Sequence, residues 1–158
     1  MKEVNEIKHN TNVHLEYIKW MRFILRRSDE VGKVELPITA VIIDDKGRCI
    51  GRGSNKRETN KDPLGHAELI ALRQAAWIKN DWRFNECSII INLEPCTMCA
   101  AALVQARIGQ VIYGAEDNKR GGFGGTIDLS KHDSAHHKMI ITKGILEQNC
   151  KNKIKIWF

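Results

Sequence analysis

"CSIIINLEPCTMCAAALVQARIGQVIYGA", Cys87 to Ala115, is the stretch on which the fold turns. Its first part, Cys87 to Glu94, is a near-continuous apolar run, as expected for a strand buried on both faces. "CTMCAAALVQARIG" follows as a small-residue-rich helix ending at Gly109, and Pro95 suits the first helical position because its missing N–H has no partner there anyway. "QVIYGA" then returns as a second buried strand. Upstream, "ITAVIIDDKGRCIGRGSN" (Ile38–Asn55) reads as two strands joined at Asp44-Asp45-Lys46-Gly47, where glycine supplies a positive φ. A polar loop, "NKRETNKDPLG", leads to a helix that begins near His66 and carries Leu69, Ile70, Leu72, Arg73 and Ala76.

The flanks complete the pattern. "VHLEYIKWMRFILRRS" (Val13–Ser28) spaces Leu15, Ile18, Trp20, Met21, Ile24 and Leu25 as a helix does, with Thr11 or Asn12 as its cap and residues 1 to about 11 as a loose polar leader. After a long glycine-rich loop, "KMIIT" is a short fifth strand and "GILEQNCKNKIKIWF" a last helix. Helix, two strands, then strands alternating with helices predict a single three-layer α/β/α domain over residues 1–158, with a mostly parallel five-stranded sheet. In such a sheet a ligand site forms beyond the carboxyl ends of the strands, where loops run into helix N-termini.

Composition narrows the function classes. Hydrophobic residues at 42% and charged residues at 28%, with only three prolines, exclude a disordered chain. Runs such as "SIIINL" are far too short to span a bilayer, and the N-terminus has no apolar core of the secretory kind, so the expected compartment is the cytoplasm. A net charge of +6 permits a polyanionic partner without demanding one. Five cysteines, an odd number, make a poor disulfide framework. Cys49, Cys87 and Cys150 read as structural, whereas Cys96 and Cys99 have the spacing of a metal-binding pair.

Cysteines three apart bring both sulfurs to one side of a first helical turn, and His66 starts another helix. Both helix N-termini then turn partial positive charge toward one place, which favours thiolates. One imidazole and two thiolates give zinc three protein ligands and leave a position for water, the mark of a catalytic site. Glu68, two residues from His66, is placed to carry protons without occupying the metal. "HAE" (66–68) with "PCTMC" (95–99) matches the known zinc-deaminase signature, His-x-Glu with Pro-Cys-x-x-Cys. The competing explanations are chance clustering or a structural zinc short of its fourth ligand.

The chain resembles the cytidine deaminase-like superfamily and, within it, the bacterial tRNA-specific adenosine deaminases. The resemblance runs from "YIKWMRFILRRS" to the final "WF" and is most specific in "GRGSN" (51–55), "DPLGHAELIALRQAA" (62–76), "LEPCTMCAAALVQARIGQVIYGA" (93–115) and "EDNKRGGFGG" (116–125). It implies a homodimer that converts adenosine to inosine at the wobble position of tRNA. His66, Cys96 and Cys99 would hold one zinc per subunit, Glu68 would shuttle protons, and Asn55 would hydrogen-bond the target base. The backbone at Gly65 would lie near the base, although relatives usually carry alanine there. The loop of Asp117, Lys119 and Arg120 would meet the anticodon stem-loop, helped by the Cβ-free approach of "GGFGG". Relatives often continue past Trp157-Phe158 with a basic tail.

The constellation sets the reaction and leaves the base open, so a free nucleobase or nucleoside deaminase, such as a guanine deaminase, is the alternative. Near the C-terminus, Lys151, Lys153 and Lys155 with Trp157 fit either a basic, base-stacking face or an amphipathic helix docked through Ile154 and Trp157. Trp77 and Trp82 read as core or dimer contact, and His132, His136 and His137 as a solvated loop without chemistry.

Overall fold

The computed structural model describes residues 2–31 and 33–157, with side chains from Thr11 onward. Elements from a 27-residue helix to a single turn follow along the chain: α1 (Lys2–Ser28), β1 (Thr39–Ile43), β2 (Cys49–Ser54), α2 (Arg57–Asn60), α3 (Ala67–Lys79), β3 (Ser88–Leu93), α4 (Thr97–Gln105), β4 (Gln110–Ala115), β5 (Ile140–Lys143) and α5 (Glu147–Trp157). The strands form one sheet in the order β2-β1-β3-β4-β5. β3, β4 and β5 pair in parallel, with Ile90 opposite Ile112 and Ile112 opposite Thr142. β1 pairs antiparallel with both β2 and β3. β2 therefore points the same way as β3, β4 and β5, and β1 alone is reversed: the sheet is mostly, not wholly, parallel.

Alternation along the strands builds both cores. Ala40, Ile42, Ile89, Ile91, Val111 and Tyr113 face α3 and α4. Val41, Ile43, Ile90 and Ile112 face α1 and α5, through Met21, Ile24 and Cys150. The isoleucine run of β3 is thus apolar throughout because it is covered on both sides.

Several boundaries differ from the sequence reading. α1 takes in the segment read as a leader, so neither Thr11 nor Asn12 is its cap; nothing in that polar, Pro-free stretch stops a helix once the following turns are packed. The polar loop after β2 contains the single turn α2. Trp77 is 84% exposed and Trp82 53%, so neither is core; helical spacing carried Trp77 past the buried stripe of Ala67, Ala71 and Ala75. Cys87 and Cys150 are buried as expected, but Cys49 is exposed at the start of the edge strand β2.

One contact sets where α3 lies. Its alanines at 67, 71 and 75 pack on the glycines of β2. A Cβ on Gly53 would stand 2.2 Å from the Ala67 carbonyl oxygen, and one on Gly51 would stand 2.4 Å from that of Ala71. Only backbone against backbone fits there. Gly53→Ala is expected to destabilise the fold by about 1–3 kcal/mol, an overpacking cost. Urea unfolding should show it as a lower midpoint.

Candidate active site

Strand direction gathers the site. The carboxyl ends of β2, β3 and β4 lie at one edge, and the reversed β1 brings its own start, Glu35 to Ile38, to the same edge. A cavity of about 680 Å³ opens there, lined by residues from all four connections, among them Glu35, Asn55, His66, Glu68, Glu94, Cys96, Asp117 and Arg120.

His66 and Cys96 occupy the N-cap positions of α3 and α4, each in extended conformation. Pro95 consequently precedes the cap and is not the first helical residue. A cap side chain ordinarily bonds the helix's own free N–H groups. Neither of these does. They turn toward each other instead: Nδ1 of His66 lies 3.7 Å from Sγ of Cys96 and 3.5 Å from Sγ of Cys99. The three donor atoms lie within 4.8 Å of one another and form the one such group among the described residues. His132 and His137 bond Ser134 and the Ile108 carbonyl, away from it.

The cap that His66 forgoes comes from a distance. Asn55, buried at the end of β2, accepts the Ala67 N–H on its Oδ1 at 3.0 Å. Its own N–H bonds the Ile38 carbonyl, so β1, β2 and α3 are joined at this residue. Gly65 is buried beside it, and its carbonyl accepts the Lys56 N–H at 2.9 Å. A Cβ at Gly65 would come within 3.0 Å of the Lys56 carbonyl group, which gives the glycine a packing reason.

Charge is tuned by burial. Glu68, in the first turn of α3, is 4% exposed, and desolvation pushes its carboxyl up to about 7. Cys96 is pulled down to about 4 by the Cys99 hydrogen bond and by His66, against the opposing effect of burial. Cys99, which serves as the donor to Cys96 and is fully buried, is pushed up. The hydrogen bond to Cys96 raises His66. These shifts favour a thiolate at Cys96, and a bound metal cation would favour one at Cys99 as well.

The β4 loop is held by a residue that sequence reasoning missed. Glu94, 2% exposed, follows β3 and accepts N–H groups from Asp117, Phe123 and Gly125, each at 2.9 Å. A Cβ at Gly121 would strike its carboxylate at 2.3 Å. "GGFGG" is therefore glycine-rich first of all to wrap a buried anion. The available signal was a glutamate placed directly between an apolar strand and Pro-Cys, where no solvent reaches it. Asp117 bonds the N–H groups of Lys119 and Arg120. Asp117 and Arg120 line the cavity, and Lys119 does not. Trp157, at the end of α5, also lines it and is 40% exposed, whereas Ile154 packs on both cores, so the docked reading of this helix holds for Ile154 and not for Trp157.

Glu94→Ala strands three loop amides, each worth about 1–3 kcal/mol when left unpaired. The expected result is a lower unfolding midpoint and fast proteolytic cutting within 117–125, measured by limited digestion and mass spectrometry.

Comparison with known proteins agrees with this geometry. A sequence model described as MafB19-like deaminase matches residues 13–150. A tRNA-specific adenosine deaminase of Haemophilus influenzae is 36% identical over 141 residues, covering 89% of this chain and 82% of that protein. A solved structure from work on A-to-I editing by tRNA:A34 deaminases at the wobble position superposes with a TM-score of 0.75 at 33% identity, over 82% of this chain and 91% of that one. A guanine deaminase from Nitrosomonas europaea gives a TM-score of 0.72 at 17% identity, over 87% and 81%, a likeness of fold alone. The chain belongs to the MafB19-like deaminases and, among them, to the family of the tRNA-specific adenosine deaminases.

Proposed function

We propose that this protein deaminates adenosine to inosine at the wobble position of tRNA, using one zinc ion per chain. The observation that carries the reading is the division of labour at the start of α3: His66 turns to the two cysteines, while Glu68, buried beside it, stays outside the ligand group. The donor set supports zinc. Tetrahedral zinc with ordinary Zn–S and Zn–N bonds needs sulfur and nitrogen about 3.5 Å apart, and the separations here are 3.5 and 3.7 Å. Three protein ligands suit a catalytic site rather than a closed structural one. Zinc, when bound there, supplies Lewis acidity and makes water acidic enough to attack near neutral pH.

The chain's own groups do the rest. Glu68 takes a proton from the water that attacks the ring carbon bearing the amine. It delivers that proton to the ring nitrogen, then takes the second proton from the hydroxyl now on that carbon and passes it to the amine, which leaves as ammonia and leaves a carbonyl behind. A carboxyl that burial holds near neutrality is suited to both directions of transfer. Asn55 has its Oδ1 committed to Ala67, so it offers the base its Nδ2 as a donor. The backbone at Gly65, packed against Lys56, forms the adjoining wall. Arg120 brings positive charge to the cavity, Lys119 stands farther out as a contact for the anticodon stem-loop, and Trp157 puts an aromatic face at the mouth.

The choice of RNA over a free base is supported by the relatives at 33–36% identity, which are tRNA deaminases, while the guanine deaminase likeness extends to the fold only. A tRNA substrate supports a cytoplasmic location for the protein; no helix among the described residues is long and apolar enough to cross a membrane. A homodimer would cover the exposed Trp77 and Ile78 of α3.

The test is a parallel assay of the zinc-loaded protein on an arginine tRNA with wobble adenosine and on guanine, adenosine and cytidine. Inosine in the tRNA with the free compounds untouched is the expected outcome. Turnover of guanine beside inert tRNA would sink the proposal.

A further inference from the structure

A third buried carboxylate lines the cavity beside Glu68 and Glu94, and the reaction has no use for it. Glu35 precedes β1, is 3% exposed, and accepts the Thr59 N–H at 2.8 Å. Burial acts to raise its pKa, but the bonds from Thr59, Glu58 and Arg57 outweigh burial and keep the carboxyl ionised below its usual range. Glu35 thus sits on the backbone amides of α2 as an anion across the chain from them.

Its mount is rigid. Asn92, wholly buried on β3, accepts the Thr39 N–H at 2.9 Å and donates to the Pro37 carbonyl at 2.8 Å. The segment carrying Glu35 is pinned to the middle of the sheet through this amide. α2 has no comparable support of its own. It is four residues long, and a single turn is far below the length at which a helix holds itself. It buries no residue. What holds it is Glu35 on one side and the Lys56–Gly65 bond on the other. The turn carries Arg57, and its left-handed cap is Lys61; both are exposed and both line the cavity. Glu58 lines it too, so the turn itself bears two cations and one anion, with the Glu35 carboxylate buried behind it. The β4 loop brings Arg120 to the same cavity from the far side of β3.

We propose that Glu35 is a positioning residue that fixes Arg57 and Lys61 at the cavity mouth as contacts for the phosphates flanking the target base. The proposal rests on the RNA reading above and adds how this wall grips the strand. Phosphate contacts have a signature that a merely structural role lacks. Each one displaces counterions, so each steepens the fall of affinity with salt, by about 0.7 in log–log slope for a single strand.

The experiment uses the zinc-loaded protein and a fluorescein-labelled anticodon stem-loop RNA. Kd is measured by anisotropy over a series of KCl concentrations, alongside kcat, zinc content and Tm. Replacing Arg57 and Lys61 together by Ala should raise Kd and make the slope shallower by about 1.4, with zinc content and Tm unchanged. Glu35→Gln and Glu35→Ala should flatten the slope in the same sense with both cations still present. Adding Glu35→Gln to the double variant should then flatten it no further. If Glu35→Ala loses zinc or melts, the surface pair Arg57 and Lys61 and the milder Gln variant decide. A wild-type slope in either the double variant or Glu35→Gln overturns this proposal alone. A wild-type protein that does not edit the stem-loop overturns the functional reading and this proposal with it.

Discussion

The whole site depends on two helices beginning at the same place. α3 follows β2 and α4 follows β3, and the two strands run in one direction with β1 between them. Their N-caps, His66 and Cys96, therefore meet across the end of the sheet. The small residues on α3 and the glycines of β2 set the distance, because any side chain between them would hold the helix away. Chemistry follows from that closeness. Side chains that would otherwise cap their own helices are free to face a common ion, and the partial charge of both helix ends favours anionic sulfur.

Buried carboxylates then divide the work around the cavity. Glu68 stands alone enough to be raised toward neutrality and so can exchange protons. Glu94 and Glu35 are surrounded by backbone N–H groups and hold loops instead. Three glutamates of similar burial differ in role because of what donates to them. The walls of the cavity are loops, yet each is tied to the sheet by one of these anions or by Asn55 and Asn92.

Much of this was legible in the residues. The β3–α4–β4 unit and the layer order follow from periodicity, which reports local structure faithfully; the His66, Cys96, Cys99 trio was legible from the cysteine spacing together with the match of "HAE" and "PCTMC" to a known signature. The antiparallel setting of β1 was legible as a hairpin with β2, through the turn at Gly47. What stayed hidden depends on partners far along the chain. Glu94 meets its amides twenty-three to thirty-one positions later, and Glu35 meets Thr59 twenty-four positions on. No local pattern encodes such pairings. The core alternative for Trp77 failed for a related reason: its spacing is helical, but only the fold decides which face of α3 meets the glycines. Gly65 was likewise hidden: its tight fit comes from Lys56, whose carbonyl group would stand 3.0 Å from a Cβ there.

The central claim is that neighbours on one helical turn are split between holding the ion and moving protons. Replacing Glu68 with Gln and measuring zinc content together with inosine formation tests it most directly. The account expects one zinc per chain, as in the unaltered protein, and a loss of activity of about 100-fold to 10,000-fold, the usual contribution of a positioned acid–base group. Loss of zinc along with activity, or full activity in the variant, would contradict it.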